Sequence, residues 1–286
     1  MSVDLPVGVR VHSWGDDDAP VLLVLHPLGL PVTGLMLSEA APVFVAAGWR
    51  VVAWDAPGFG GSPGLDLDGY ALPSLGSLAL AVLDALDVSS AVVMGHSWGG
   101  AIACVLAGLA PSRVRALVLL DAGHADVADL AGYSRDAPFD SYLPEERSFG
   151  GWDEAEAFFA EDEIRWTPAL WAALRPGLRL DPAGRVVPVA RPEAIASARY
   201  GMVATSLRPS WAVLASSGTP VYLMLAGRPE DRRALNASLV PAFAGAVPQA
   251  YVDLVPEWSH DVIADGGPAF AERVCAWLRS VGPPGG

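Results

Sequence analysis

Residues 91–100 read Ala-Val-Val-Met-Gly-His-Ser-Trp-Gly-Gly, and this stretch decides the fold. The apolar run at its start is typical of a strand buried on both faces. The Gly-x-Ser-x-Gly pattern that follows, with a small-residue helix after it, predicts a sharp turn with Ser97 at its apex. A side chain at 95 or 99 would collide with neighbouring backbone, which explains the glycines there. The stretch predicts an exposed serine nucleophile; a glycine-rich turn capped by serine is the alternative.

Strand and helix patterns alternate on both sides of this stretch. Further strands are predicted at 9–14, 21–26, 51–54, 116–120, 221–226 and 250–255. Helical patterns lie between them, the first over 35–47, and the short connections indicate a parallel sheet covered by helices on both faces. The alternation stops between about 124 and 217, where helical stretches and aromatic residues occur without a buried-strand pattern. The sequence predicts an α/β core of residues 1–123 and 218–286, interrupted by a mainly helical insertion of residues 124–217.

A serine hydroxyl is a weak nucleophile and needs a base to take its proton. Among the five histidines, His260 is the best placed, because it follows the last predicted strand at the sheet edge where α/β proteins bind ligands. His12 is expected at the surface or rim of the sheet, and His96 is expected to point away from the serine. We therefore predict that His260 is the base. The backbone N–H of Trp98, unpaired at the start of a helix, is predicted to face an oxyanion.

Four motifs make the chain resemble the α/β-hydrolase family over nearly its whole length. They are His26-Pro27-Leu28-Gly29, Asp55 to Ser62, Gly95 to Gly99, and Ser259-His260-Asp261. The resemblance implies the α/β-hydrolase fold, with the insertion as a cap or lid over the site. It also implies an oxyanion-hole N–H from the residue after the family's usual His-Gly, which here is Leu28. This chain has Pro27 in place of that glycine, and proline itself has no N–H to donate. Leu28 and Trp98 are thus the expected oxyanion hole, and the 55–62 loop is expected to be structural.

The acid of the triad stays open at this point. By the resemblance, it usually follows the strand after the cap, where Glu230 stands at the usual spacing and Asp231 one residue later. Some members of the family instead use an acid after the strand before the cap, which here is Asp121. Pro229 and the neighbouring arginines make 228–233 look like an ordinary solvated helix start. We therefore favour Asp121 as the triad acid and keep Glu230 and Asp231 as alternatives.

Charge and composition limit the partners. The formal net charge of −14 repels nucleic-acid phosphates and anionic lipid surfaces, so neither nucleic acid nor a membrane is an expected partner. No basic segment followed by an apolar run opens the chain, and no apolar run reaches bilayer length, so a soluble cytoplasmic protein is expected. Metal-ligand and nucleotide-binding motifs are missing from the sequence, so neither a metal nor another cofactor is expected.

These features predict a serine hydrolase that transfers the acyl group of a small to medium, largely apolar carboxylic ester or lactone. Three alternatives stay open: amide or peptide cleavage of the proline iminopeptidase type, cofactor-free perhydrolysis or cyanohydrin cleavage, and a non-catalytic ligand sensor on the same scaffold. By the resemblance, dehalogenases and epoxide hydrolases carry a carboxylate where this chain has Ser97. A serine ether could not be hydrolysed, so those two activities are not expected.

Overall fold

A mixed, mostly parallel sheet runs through the protein in a computed structural model that describes residues 1–29, 32–161 and 164–282. The strands of the described residues are, in chain order, β1 (Ser2–Asp4), β2 (Arg10–Trp14), β3 (Val21–Leu25), β4 (Arg50–Asp55), β5 (Ala91–His96), β6 (Val114–Leu120), β7 (Leu178–Leu180), β8 (Val186–Pro188), β9 (Val221–Ala226) and β10 (Ala250–Val255). Eight of them form one sheet in the order β1-β2-β4-β3-β5-β6-β9-β10. Only β1 and β2 pair antiparallel to their neighbours in that sheet. The α/β-hydrolase fold predicted from the sequence is confirmed.

Helices cover both faces of this sheet. Those of the described residues are α1 (Ala41–Ala46), α2 (Leu72–Ala85), α3 (Trp98–Leu109), α4 (Trp152–Ala160), α5 (Pro168–Leu174), α6 (Pro192–Ala204), α7 (Arg208–Ser217), α8 (Glu230–Ala246), α9 (Val262–Gly266) and α10 (Pro268–Val281). Within β3, Leu23 packs into the apolar layer of α2, α3 and α7, while Leu22 and Val24 pack into the opposite layer of α1 and α10. Within the described part of the chain, no helix is long and apolar enough to cross a membrane.

The first predicted helix is shorter than the sequence suggested. In place of one helix over 35–47, a 3-10 turn at Gly34–Leu37 is followed by α1. Pro42 lies in the first turn of α1. Proline is tolerated there but would clash with the carbonyl four residues earlier inside a longer helix. The apolar periodicity runs through both elements, and the proline divides them.

The segment between β6 and β9 contains α4 to α7 and also the antiparallel pair β7–β8. The segment is mainly helical, as predicted, and this short pair was not foreseen, because three-residue strands around a tight turn are too short to show a period. In that turn Asp181 accepts hydrogen bonds from the backbone N–H groups of Ala183 and Arg185. The last helix, α7, packs against α3, and Trp211 donates from Nε1 to the carbonyl of Gly123 at 2.9 Å. That residues 124–217 form a separate cap domain stays a prediction.

Candidate active site

Ser97 occupies a strained turn between β5 and α3. Its φ is +52°, a left-handed value that costs a non-glycine residue on the order of 1 kcal/mol or more. A Cβ atom on Gly95 would lie 2.2 Å from the carbonyl oxygen of Gly99, and one on Gly99 would lie 2.1 Å from that of Leu25. Only glycine fits at these two positions, because backbone atoms cannot give way. The turn therefore holds the Ser97 hydroxyl at the carboxyl end of the sheet, beside a cavity.

His260 lies in the loop between β10 and α9, with its imidazole against the serine. Its Nε2 atom is 2.9 Å from Oγ of Ser97, and its Nδ1 atom is 2.6 Å from Oδ2 of Asp121. The loop is held by a hydrogen bond from Nε2 of His96 to the carbonyl of His260 at 2.7 Å. Burial, and then the charge of His260, lower the pKa of His96 to about 3, so His96 is a neutral donor. His96 therefore points toward the backbone of the His260 loop. The sequence predicted only that it points away from the serine, and this contact was not foreseen.

Asp121 follows β6 and is fully buried on its side chain. Its φ of +48° turns the carboxylate toward His260. Oδ1 accepts hydrogen bonds from the N–H of Ala226 at 3.0 Å and from Nδ2 of Asn236 at 2.7 Å. Burial alone would raise the pKa of Asp121, but the hydrogen bond with His260 and the charge of Arg232 outweigh it and hold the pKa well below its usual range. The carboxyl is thus ionised at neutral pH and can orient the imidazole.

The two alternative acids lie elsewhere. The Glu230 side chain is 88% exposed and lies 3.5 Å from Arg233 in an ion pair. Asp231 is also exposed, and its Oδ1 accepts a hydrogen bond from the backbone N–H of Arg232. No hydrogen bond joins either carboxyl to His260 among the described residues. Of the three candidates, the structure brings only Asp121 to the histidine.

Arg232 and Asn236 are site residues that the sequence analysis missed. Nε and Nη2 of Arg232 lie 2.8 and 2.5 Å from Oδ2 of Asp121, and Nη2 is also 2.7 Å from Nδ1 of His260. Pro229 and the arginines of 228–233 have the pattern of a solvated helix start, which gives no sign of a contact with the site. One signal was available: positions 232 and 236 are four apart on a helix, so their side chains share a face. That face of α8 is turned toward Asp121.

The backbone N–H groups of Leu28 and Trp98 are free to meet an oxyanion. Nε2 of His26 accepts a hydrogen bond from the N–H of Ala56, so Nδ1 carries the ring proton and donates it to the carbonyl of Pro27 at 2.7 Å. In a trans peptide the C=O and N–H point in opposite directions, so the N–H of Leu28 points away from His26. No hydrogen bond joins either N–H to another described residue. Trp98 is the first residue of α3, where an N–H has no partner within the helix.

His12 is not at the surface, so that expectation is wrong. It is buried, with Nε2 2.9 Å from Oδ1 of Asp55 and Nδ1 2.8 Å from Oγ of Ser2. A histidine in an alternating strand looks solvent-facing when its buried acidic partner lies on another strand. Asp55 also accepts hydrogen bonds from the N–H groups of Gly34 and Gly61. Asp55 thus ties three segments together, which agrees with a structural part for the 55–62 loop.

Two cavities have His260 in their lining. One, of about 260 Å³, is called the apolar cavity below and is lined by Pro27, Leu28, Gly29, Val32, Met36, Phe159, Ile164, Trp166, Leu170, Leu174, His260 and Asp261. The other, of about 200 Å³, is called the Arg232 cavity and includes Ser97, Asp121, His124, Tyr133, Arg232 and His260 in its lining. Ser97 itself lines the Arg232 cavity, and Leu28, of the expected oxyanion hole, lines the apolar cavity. In the described residues, no group of three or more His, Cys, Asp and Glu side chains is arranged to hold a metal ion.

Comparison with known proteins agrees with the fold. The family model described as alpha/beta hydrolase fold matches residues 20–191. The dihydrolipoyllysine-residue acetyltransferase component of the acetoin cleaving system of Pseudomonas putida is 39% identical over 118 residues, which are 40% of this chain and 30% of that protein. Epoxide hydrolase B of Mycobacterium tuberculosis is 32% identical over 116 residues, 39% of this chain and 32% of that protein. The matches thus span about a third or less of each relative.

Solved structures share the architecture over the whole chain. E-2-(acetamidomethylene)succinate hydrolase superposes with a TM-score of 0.76 at 18% sequence identity, covering 98% of this chain and 99% of that one. An identity this low bears on the fold alone. The family match covers more than half of the chain, and the sheet order and the strand–turn–helix at Ser97 agree with it. The chain belongs to the alpha/beta hydrolase fold family.

Proposed function

We propose that the protein is a serine hydrolase that cleaves a small to medium, largely apolar carboxylic ester or lactone through an acyl-enzyme on Ser97. The observation that carries this proposal is the continuous hydrogen-bonded chain from Oγ of Ser97 through His260 to the ionised Asp121. In such a chain the imidazole can take the serine proton while the carboxylate orients the ring and stabilises the imidazolium.

The reaction would proceed in two halves. Nε2 of His260 takes the proton of Ser97 as its Oγ bonds to the ester carbonyl carbon, and the N–H groups of Leu28 and Trp98 receive the oxyanion. Collapse of this intermediate breaks the bond to the alcohol, which leaves with the proton from His260. Water then repeats the sequence on the acyl-enzyme, with His260 as base, and releases the acid and free Ser97.

The residue at 97 favours acyl chemistry over epoxide opening, although an epoxide hydrolase is among the relatives. Attack of a serine hydroxyl on an epoxide carbon would give an alkyl ether, which water cannot cleave at an adjacent carbonyl. An acyl-serine has such a carbonyl and can turn over. Ser97 is therefore matched to esters, lactones or amides.

The size and lining of the apolar cavity support a substrate of modest length. Phe159 and Trp166 come from the inserted segment, and Leu170 and Leu174 from its helix α5. We propose that the segment 124–217 acts as a cap over the site. A cavity of about 260 Å³ admits a short or medium acyl chain.

We also propose that the protein acts on a small molecule in the cytoplasm and not on nucleic acid or at a membrane. Its formal net charge of −14 supports the part of this proposal that concerns nucleic acid and membranes, because the surface repels phosphate groups and anionic lipids alike.

A panel of 4-nitrophenyl esters from acetate to decanoate, run on the wild type and on Ser97→Ala, tests the proposal. We expect turnover that peaks at short or medium chains and falls about 100-fold or more in Ser97→Ala. Equal activity of the two proteins would refute a role for Ser97. Turnover of aminoacyl arylamides without turnover of esters would favour the peptidase alternative. Tight binding of the esters without turnover would favour the sensor alternative.

A further inference from the structure

The carboxylate of Asp121 has more donors than it needs. Oδ1 accepts from the N–H of Ala226 and from Nδ2 of Asn236. Oδ2 is contacted by Nδ1 of His260 and by both Nε and Nη2 of Arg232. A carboxylate oxygen offers about two acceptor sites, so Oδ2 is oversupplied. If Arg232 left it, Asp121 would still accept two hydrogen bonds on Oδ1 and one from His260 on Oδ2.

Arg232 also opposes the chemistry from its present position. When Nδ1 of His260 donates its proton to Asp121, it faces a second donor, Nη2 of Arg232, at 2.7 Å. The repulsion between them grows as the imidazole becomes an imidazolium during attack by Ser97. The guanidinium of Arg232 also offsets part of the negative charge of Asp121, which would otherwise stabilise the imidazolium. If Arg232 had no role beyond its contacts with Asp121 and His260, it would thus slow the proposed reaction.

The surroundings of Arg232 show where its guanidinium can go. Its side chain reaches from the first turn of α8 and is 29% exposed, whereas that of Asp121 is fully buried. It lines the Arg232 cavity together with Ser97. Among the described residues of that lining, Arg232 is the one with a permanent positive charge. The lining also includes Val127, Leu130, Met202 and Leu207, which are apolar and offer the guanidinium no competing acceptor from their side chains.

We propose that the Arg232 cavity receives a carboxylate group of the substrate, and that Arg232 binds this group and leaves Asp121 to His260. This inference rests on the proposed function and narrows its substrate class to esters that carry a carboxylate on one arm and an apolar group on the other. A guanidinium and a carboxylate pair through two parallel hydrogen bonds, which explains the choice of arginine. With a neutral substrate, Arg232 would stay in contact with Asp121 and His260.

Matched pairs of esters test this selectivity by their ratios of kcat/KM, measured by proton release. Monomethyl adipate against methyl hexanoate places the charge on the acyl arm. The butanoate ester of 4-hydroxybutanoate against butyl butanoate places it on the alcohol arm. We expect the wild type to prefer the charged member of one pair by about tenfold or more, the effect of one charged hydrogen bond. A ratio near one in both pairs would overturn the proposal.

Variants of neighbouring arginines locate the effect. Arg232→Gln should lose the preference, and Arg232→Lys should keep part of it, because a single cation remains. Arg233→Gln is the matched control, since Arg233 is half exposed and pairs with Glu230, and it should keep the full preference. A preference that survives in Arg232→Gln, or is lost equally in Arg233→Gln, would contradict the assignment to Arg232.

A binding experiment separates this inference from the proposed function. If no ester is turned over in a Ser97-dependent way, the proposed function fails, and adipate binding to the Ser97→Ala protein at low salt still tests the cavity. We expect adipate to bind about tenfold or more weakly when Arg232→Gln is added. Equal binding by the single and double variants would overturn the inference independently of catalysis.

Discussion

Asn236 donates a hydrogen bond from Nδ2 to Oδ1 of Asp121 at 2.7 Å, and the same nitrogen donates to the carbonyl of Ala226 at 3.0 Å. Its Oδ1 lies 3.2 Å from Nε2 of His124 and is left to accept from it. Every polar atom of this buried side chain is therefore used. Asn236 fixes the plane of the carboxylate, so that Oδ2 faces His260.

Replacing Asn236 by leucine is expected to lower kcat about tenfold, equivalent to one lost charged hydrogen bond of about 1.4 kcal/mol, with KM nearly unchanged. The free energy of unfolding should fall by about 1 to 3 kcal/mol, because the carbonyl of Ala226 loses a buried donor. Steady-state kinetics and urea unfolding measure the two effects. A rise in KM with constant kcat would show that Asn236 acts on the substrate and not on Asp121.

Asp121→Asn is expected to reduce kcat/KM by about 100-fold to 10,000-fold, because an amide cannot balance the imidazolium or hold its tautomer. Glu230→Gln is the matched control. Its exposed ion pair with Arg233 is worth little, so we expect activity within about twofold of the wild type. A larger loss of activity in Glu230→Gln than in Asp121→Asn would instead identify Glu230, which follows β9, as the acid.

Three buried histidines should make stability depend on pH. Burial lowers the pKa of His26, His96 and His124, that of His96 to about 3. In the unfolded chain each takes up a proton as the pH falls through about 6.5, while in the native state each takes it up only at a lower pH. Stability is thus full above that pH and declines below it, by up to about 1.4 kcal/mol per pH unit for each histidine.

Urea unfolding of the wild type at pH 7.5, 6.0 and 5.0 measures this decline. The His96→Phe protein keeps an aromatic ring at this position but cannot take up a proton. Its free energy of unfolding should therefore fall less steeply with decreasing pH, by the slope that corresponds to about one proton. Parallel curves for the two proteins would show that His96 is protonated in the native state as well.

Gly99→Ala should be severely destabilising, by more than about 3 kcal/mol, because its methyl group would lie 2.1 Å from the carbonyl oxygen of Leu25. Gly245→Ala in α8 is the control, since a Cβ atom there meets nothing within 4 Å. Alanine at that position should be neutral or stabilise by up to about 1 kcal/mol. Thermal unfolding compares the two, and a stable Gly99→Ala protein would contradict the close approach of α3 to β3.

The strands and the turn at Ser97 could be predicted because their signals are local. A central strand such as β5 must be apolar on both faces, and the turn after it requires glycine at fixed offsets. His260 could be predicted for the same reason, since it lies in the loop after a recognisable strand. Each of these residues follows a strand in the sequence, and this order along the chain nearly determines its place at the edge of the sheet.

The rest depends on distances that the chain alone does not reveal. Whether Asp121 or Glu230 meets His260 depends on how far each loop reaches, and the left-handed backbone of Asp121 decides it. The contact between Arg232 and Asp121 depends on which face of α8 turns inward. His12 looked solvent-facing because its partner Asp55 lies 43 residues away on another strand.

The central claim is that Ser97 becomes covalently acylated with His260 as its base. Treatment with a fluorophosphonate, followed by mass spectrometry of the intact protein and its peptides, tests this most directly. We predict one adduct per chain, located on the peptide that contains Ser97, absent in Ser97→Ala and formed about 100-fold or more slowly in His260→Gln. No adduct on the wild type, an adduct on another residue, or equal labelling of Ser97 without His260 would contradict the account.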